Sequence, residues 1–562
     1  MSEEKKLTGY PSIDKPWLKY YSEEAINAKI PDGTMYQAIY RNNADRLDNI
    51  AINYYDQKIT YRAFFENICT AARAFWARGI RQGDVVTICS LNTPETIYAI
   101  YGLNMIGAVA NLLYANITAG EICEKIRLTD SKLLMILDNL LSKIGEVNSP
   151  VPVITFPMED SMPTLKRAAV CLTAKEPYEY ERYTNFVSGI ENVEVAEADS
   201  SELPAIILYT SGSTGAPKGV LLSNKNFNSM TMQTAMSGRE YNPKETFVNI
   251  LPPFVSFGLG VQHTCRFTGM TDIPVLTPKL EQVTEVFRKY RPNRFILSPG
   301  VLELIEKYDG DDFSFLVDLT CGGDSVSLEQ EHRLNEILAE KNARTKYLAG
   351  YGMTEAASAL ASNQNLASRE QSIGIPLPQT VFKVVDLDTG EEKKYGEEGE
   401  LLINSSAIML EYYKNPEATA KTIEVKNGQR WLHTGDLAKI DEDGFTFITG
   451  RLKKIYITVD PDGNGYKLFP QRVEEIVSEL PFVEKCGVIV ERDEVKQTIP
   501  AIFVTVNEKV PADVPAAILT VIAEKLASYY YPDKITVIPE MPMTASQKID
   551  YQALEKMIEE RV

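Results

Sequence analysis

Histidine is the scarcest reactive residue in this chain: 562 positions hold only His263, His332 and His433. Mechanisms built on a Ser–His–Asp triad, an HExxH zinc site or a His-rich metal centre have almost nothing to work with. Cysteine is sparse too. The seven cysteines (Cys69, Cys89, Cys123, Cys171, Cys265, Cys321 and Cys486) are odd in number and form no CxxC pair. That suits a reducing, cytoplasmic compartment and argues against a disulfide framework or a structural zinc site. Long apolar runs are missing. The longest, Ala99 to Tyr114, is broken by Asn104 and Asn111 and is short for a bilayer span. The first residues lack an apolar signal-type core. Positive charge is in deficit: 58 Lys and Arg against 77 Asp and Glu give a formal charge of −19. Such a field repels nucleic-acid phosphates and anionic lipid, so neither a nucleic acid nor an integral membrane association is expected. An anionic small substrate must be captured locally, by backbone amides and a few cations.

What remains is ordinary globular material, 44% hydrophobic and 24% charged, with length for several packing units. The first 140 residues alternate strand and helix. Ala51–Tyr55, Asp84–Cys89 and Leu133–Leu137 read as strands. Thr60–Arg78 has helical spacing and ends at Gly79, Thr93-Pro94 opens a helix, and Thr118-x-x-Glu121 is a capping box. This predicts parallel α/β layers. The α/β character continues to about residue 380, with strands at 295–299 and 317–322 and helices at 281–290 and 328–341. From Val381 to Gly450 the pattern shifts to short strands and turns, with a hairpin around Asp441-Glu-Asp-Gly444. A smaller unit follows: helix 471–480, strands 486–491 and 499–506, helix 514–530. The predicted class is therefore α/β: a large multi-subdomain N-terminal region, layered α/β plus a small β-barrel-like part, spanning 1–450, and a small α+β domain spanning 451–562.

The strongest motif is Thr210-Ser-Gly-Ser-Thr-Gly-Ala-Pro-Lys218-Gly219, between the apolar strands Leu203–Tyr209 and Val220–Leu222. Glycines free the backbone N–H groups to turn toward one anion, hydroxyls add donors, and Lys218 adds charge. The fitting guest is a phosphate chain. This is no Walker A loop, because Pro217 precedes the Lys and Gly219 follows it. In Gly350-Tyr-Gly-Met-Thr-Glu355, a glycine-flanked aromatic can stack on a flat ring, and Glu355 can hold Mg²⁺. The same hexapeptide also reads as a plain helix start. Asp436, in Trp431-Leu-His-Thr-Gly-Asp436, can accept from two ribose hydroxyls or can be a turn aspartate. Gly450-Arg451-Leu-Lys453 and Pro542-Met-Thr544-Ala-Ser-Gln-Lys548 complete the set.

In this order and spacing the five motifs resemble the adenylate-forming superfamily of acyl-CoA synthetases, luciferases and peptide-synthetase adenylation domains. The likeness runs from Lys15-Pro-Trp17 to Lys548, and the Asn415-Pro-Glu-Ala-Thr419 block is most similar to the fatty acyl-CoA synthetase branch. The resemblance implies roles. Thr210, Ser211, Gly212, Ser213, Thr214, Gly215 and Lys218 wrap the β,γ-phosphates of ATP. Tyr351, flanked by Gly352 and Met353, stacks on adenine, and Gly323, Asp324 and Ser325 line the adenine side. Thr354 meets the α-phosphate and Glu355 ligates Mg²⁺. Asp436 and Arg451 hold the ribose. Lys453 is the hinge of a mobile C-terminal domain, and Lys548 bridges the carboxylate and the α-phosphate. The co-substrates implied are ATP, CoA and an apolar carboxylic acid.

Many relatives carry His where Val255 stands. With Phe254, Phe257, Gly258 and Gly322 this leaves an apolar acyl pocket that suits an apolar acyl or ring-bearing carboxylate better than acetate. About five extra residues separate Arg451 from Gly465-Tyr-Lys-Leu-Phe-Pro470, a segment that reaches the active site of relatives during thioester formation. Gln547 and Glu411 stand where glycine is common. Two other readings stay open. One is adenylation for a carrier protein, or of an aromatic or polycyclic acid. The other is nucleotide binding without turnover. The absence of a carrier domain after Lys548 favours free CoA.

Overall fold

The computed structural model describes residues 7–559, apart from 116, 165, 168–179, 211–216, 277–278, 311, 366, 453–455, 460–464, 469, 494–496, 508–509, 527 and 545–547. Two large sheets dominate. The eight-stranded one carries β1 (Pro204–Tyr209) and β2 (Gly219–Ser223), the arms of the glycine-rich loop. Its interior strands run parallel, while β2 and the two-residue edge strand Glu411–Tyr412 run antiparallel at one end. The nine-stranded sheet holds β3 (Thr246–Asn249), β4 (Arg294–Leu297), β5 (Asp318–Gly322), β6 (Tyr347–Met353) and β7 (Ser358–Ser362) side by side. β3 to β6 are parallel and β7 is antiparallel to β6. Helix α1 (Ser256–Phe267) touches β3, β6 and β7.

Local signals explain these elements. Strands buried along their whole length, such as Val85–Cys89 and Leu133–Leu137, are nearly continuous apolar runs, broken only by Thr87, because both faces are covered. Thr60, Thr93 and Thr118 each accept a backbone N–H at a helix start, and the capping box with Glu121 is formed. Gly79, at φ 82°, ends the helix Tyr61–Ala77 where a side chain would be strained.

The third sheet has five strands, among them β8 (Gln429–Ile440) and β9 (Thr446–Arg451), joined by the expected hairpin. β8 is far longer than the short strands anticipated there. It pairs with three neighbours, so its central residues gain partners on both sides. Beyond it lie a two-stranded ribbon and a three-stranded sheet with its own apolar core around Val473, Val488, Ile502 and Ile518. The two expected strands here run longer, Val483–Asp493 and Gln497–Val506, and one helix is shorter. The helix expected over 514–530 stops at Lys525, and a separate 3₁₀ turn, Ser528–Tyr530, follows. The Lys525 ammonium is bound to Glu479, and Tyr530 turns into the core instead. Among the described residues no helix is long and apolar enough to cross a membrane.

Candidate active site

A cavity of about 2090 Å³ opens where the C-terminal ends of β5 and β6, the loop arms of β1 and β2, and the end of the chain meet. Ser211, Gly212, Ser213, Thr214 and Gly215 lie outside the described residues. The stem of their loop is fixed, since Thr210 N donates to Lys218 O at 3.1 Å and Lys218 N donates to Thr210 Oγ1 at 3.3 Å. Thr210 and Lys218 line the cavity, and the Lys218 ammonium lies 4.7 Å from the centroid of the Tyr412 ring.

Strand β6 leads into a 3₁₀ turn, Thr354–Ala356. A Cβ on Gly352 would come within 1.8 Å of the Ser358 carbonyl oxygen, so only glycine fits there. Glu355 is buried. Its Oε1 accepts from the Tyr412 hydroxyl at 2.6 Å, and its backbone oxygen accepts from Met409 N at 2.7 Å. Thr354 Oγ1 accepts from Ser256 Oγ at 3.3 Å.

Asp436 and Arg451 are direct cross-strand partners on β8 and β9, and Gly435 at φ 71° bends the strand just before Asp436. Arg451 Nε lies 3.0 Å from Asp436 Oδ1, and the Tyr351 hydroxyl donates to Asp436 Oδ2 at 2.6 Å. Burial, followed by the charge of Asp436, pushes the Tyr351 phenol well above its ordinary range. Asp436 holds Arg451 above its ordinary value. The Asp436 side chain is 6% exposed and that of Arg451 54%, so the guanidinium keeps open directions for a ligand.

Lys548 comes from the far end of the chain. Thr544 N donates to its carbonyl at 2.7 Å and Lys548 N donates to Thr544 Oγ1 at 3.2 Å. Its ammonium feels the charges of Asp324, Arg451, Asp436 and Glu355. Burial nonetheless pulls its pKa below the ordinary lysine value. Gly322, Gly323, Asp324, Ser325, Tyr351, Gly352 and Met353 line the same space. Thus every described residue expected around the nucleotide is brought to one cavity. Lys453, the expected hinge, lies outside the described residues.

The expected acyl pocket needs correction. Val255, Phe257 and Gly322 line the cavity, but Phe254 and Gly258 are not among its described lining residues. Phe254 is turned into the core, edge-on to Tyr114 at 5.2 Å between centroids, and Tyr114 is the residue that faces the cavity. Gly258 permits close packing: a Cβ there would lie 2.1 Å from Pro252 O. Sequence reasoning gave Tyr412 no role, although its contacts with Lys218 and Glu355 make it central to the geometry.

One more group was invisible in the sequence. Deep in the cavity Arg239 donates to both oxygens of Asp318, at 3.2 and 2.9 Å, and to Thr320 Oγ1 at 2.6 Å. Arg294 donates to Asp318 Oδ2 at 2.9 Å and to Glu245 Oε2 at 2.6 Å. Burial raises the Asp318 carboxyl, but the two arginines outweigh it and hold the group below its usual range.

Among the described residues no three His, Cys, Asp or Glu side chains converge as a metal site. Glu355 offers a carboxylate in the cavity, which fits a magnesium ion that takes most of its oxygens from substrate and water.

Comparison with known proteins agrees with this geometry. Residues 39–413 match the family model described as AMP-binding enzyme, and residues 472–548 match the AMP-binding enzyme C-terminal domain. The chain is 29% identical over 522 residues to "Probable CoA ligase CCL5" of Humulus lupulus, covering 89% of this chain and 88% of that protein. It is 27% identical over 562 residues to the long-chain-fatty-acid–CoA ligase of Bacillus subtilis, covering 95% and 96%. Its fold superposes, with TM-score 0.79 and 21% identity, on the anthranilate CoA ligase AuaEII solved with anthranoyl-AMP, covering 95% of this chain and 99% of that one.

Proposed function

The chain belongs to the AMP-binding enzyme family and is an AMP-forming acid–thiol ligase of the adenylate-forming superfamily, and from that premise we propose that it activates an apolar carboxylic acid, a fatty acid, with ATP and passes the acyl group to CoA. The observation that carries this reading is the meeting of Lys548 with Asp324, Arg451, Asp436 and Glu355 in a cavity also lined by Lys218.

A carboxylate resists attack by a thiol. Its oxygen first attacks the α-phosphorus of ATP; the new O–P bond forms as the bond to the bridging oxygen breaks, and pyrophosphate leaves. Negative charge gathers on the reacting phosphate, so positioning and fixed cations do the catalysis and no protein nucleophile is needed. Lys548 brings its ammonium between carboxylate and α-phosphate. Lys218 and the loop 211–216 hold the β,γ-phosphates, and Thr354 contacts the α-phosphate. Asp436 and Arg451 hold the ribose, and Tyr351 packs on adenine. Glu355, oriented by Tyr412, would hold Mg²⁺, whose charge offsets that of the phosphates. In the second step the thiol sulfur attacks the acyl carbon and AMP leaves with the bonding pair of the broken C–O bond. CoA needs the space that Lys548 fills, so the domain beyond residue 450 must swing away, with Lys453 as pivot.

The family resemblance and the Bacillus relative support a fatty acid. The test is a panel of aliphatic and aromatic acids, scored for acid-dependent AMP release with and without CoA, with mass spectrometry of the thioester. Pyrophosphate release that depends on acid but not on CoA for the first turnover, and AMP release that needs CoA as well, are expected. ATP binding without acid-dependent pyrophosphate release for any acid would refute the reading.

A further inference from the structure

The cavity continues well past the reacting groups, down the face of the nine-stranded sheet. The strand register orders this face in rungs. Gly322 is uppermost. Two residues lower, Thr320 pairs with Ile296, and two lower again Asp318 pairs with Arg294, which pairs with Phe247. Helix α1 forms the opposite wall, presenting Phe257, Val261, Thr264 and Cys265 at the i, i+4, i+7, i+8 positions of one face. Phe257, Val261 and Ile296 are only half-buried although they lie between helix and sheet, because they face this space. Glycine at 260 lets α1 pack closely on β7, since a Cβ there would lie 2.4 Å from the Ser358 Cβ.

The bottom is different in kind. Arg239, Asp318, Arg294 and Glu245 form a charge-balanced quartet, and Tyr241 packs on the Arg294 guanidinium at 4.3 Å. Every one of these charges is committed to a protein partner. A methyl terminus gains nothing by entering such a network, and separating buried ion pairs costs several kcal/mol.

Resting on the fatty-acid reading above, we propose that this space is a blind channel for an unbranched alkyl tail, and that the Arg239–Asp318–Arg294 network is its floor and sets the longest acid accepted. The network already holds the Thr320 hydroxyl, so below Gly322 the open face is two strand residues long, roughly 7 Å at 3.3 Å per residue. That length takes about five methylenes of extended chain. The substrate class is thus a medium-chain saturated acid. Within the channel each added CH₂ raises kcat/KM about threefold to fourfold, the value of burying one methylene.

The test measures kcat/KM for butanoate, hexanoate, octanoate, decanoate and hexadecanoate in the wild type, in Val261→Phe and in Ile296→Phe, which narrow the channel from opposite walls. The wild type should climb to about octanoate and fall by hexadecanoate. Both variants should keep butanoate within about threefold and lose at least 100-fold on octanoate, and the retained butanoate activity shows that they fold. Variants that keep octanoate at wild-type efficiency overturn the channel while leaving the ligase reading intact. Should a variant lose butanoate as well, the wild-type profile decides, and a flat or falling profile overturns the proposal. A wild type that turns over no acid at all refutes the ligase reading first.

Discussion

The two charge clusters of this cavity are built from similar residues and do opposite work. At the floor, Arg239 and Arg294 share Asp318, and Glu245 and Thr320 take further N–H groups. All of it belongs to the nine-stranded sheet and the segment leading into it. At the mouth, Asp436, Arg451, Glu355 and Lys548 come from segments far apart in sequence, and Arg451 stays half-exposed. The floor is complete without a ligand. The mouth gathers cations whose open directions an anionic ligand can satisfy. Desolvated charges are stable only when paired, so completeness marks a structural cluster and incompleteness marks a binding one.

That contrast can be broken by mutation. The largest effect should come from Asp318→Ala, which strands two arginines. It should destabilise the fold by about 3–5 kcal/mol, read as a loss of denaturant midpoint. Stability within 1 kcal/mol of wild type would erase the distinction between floor and mouth. At the mouth, Lys548→Ala should leave stability nearly unchanged but slow adenylation on the order of 10²–10³-fold, by analogy with loss of one preorganised donor. Thioester formation from supplied acyl-AMP should survive. Pyrophosphate exchange near the wild-type rate would remove Lys548 from the chemistry. Tyr412→Phe keeps the ring beside Lys218 but loses the hydrogen bond to Glu355. A bond to a charged acceptor contributes about 1.5–3 kcal/mol, so the Mg²⁺ concentration for half-maximal activity should rise at least about tenfold, and an unchanged Mg²⁺ titration would assign the tyrosine to packing alone.

The smallest effect concerns pH. Burial lowers the pKa of Lys548, so its ammonium is lost at lower pH than a free lysine's. Adenylation needs the charged form. Its alkaline limb should therefore fall below the ordinary lysine value of 10.5, while thioester formation from acyl-AMP shows no such limb. Coincident limbs in both half-reactions would contradict this. For folding the sign is adverse: the depressed pKa means the charged form costs stability below that pKa, and the cost fades as pH rises through it.

Much of this was legible in the chain because it is local. Thr93-Pro94, the Thr118–Glu121 box and Gly79 declare helix ends by short-range chemistry. The order of five motifs along the chain was enough to point to the nucleotide end of the cavity. The acyl end was harder. Phe254 and Phe257 are three residues apart with the same side chain, yet one is in the core and the other on the wall, a difference set by how α1 begins at Ser256. The floor was hidden because Arg239, Arg294 and Asp318 meet only through strand register, and a surface arginine and a buried one look alike in sequence. The helix expected through Tyr530 failed because tertiary burial of that tyrosine outweighs the helix propensity of its neighbours.

The two-residue strand Glu411–Tyr412 is hydrogen-bonded to β2, just past Lys218, while Met409, three residues before Tyr412, is tied to the backbone of Glu355. A nucleotide held at Lys218 and a divalent ion held at Glu355 would thus bear on opposite ends of one short segment. Thermodynamic reciprocity would then require the metal to tighten the nucleotide by the same factor by which the nucleotide tightens the metal.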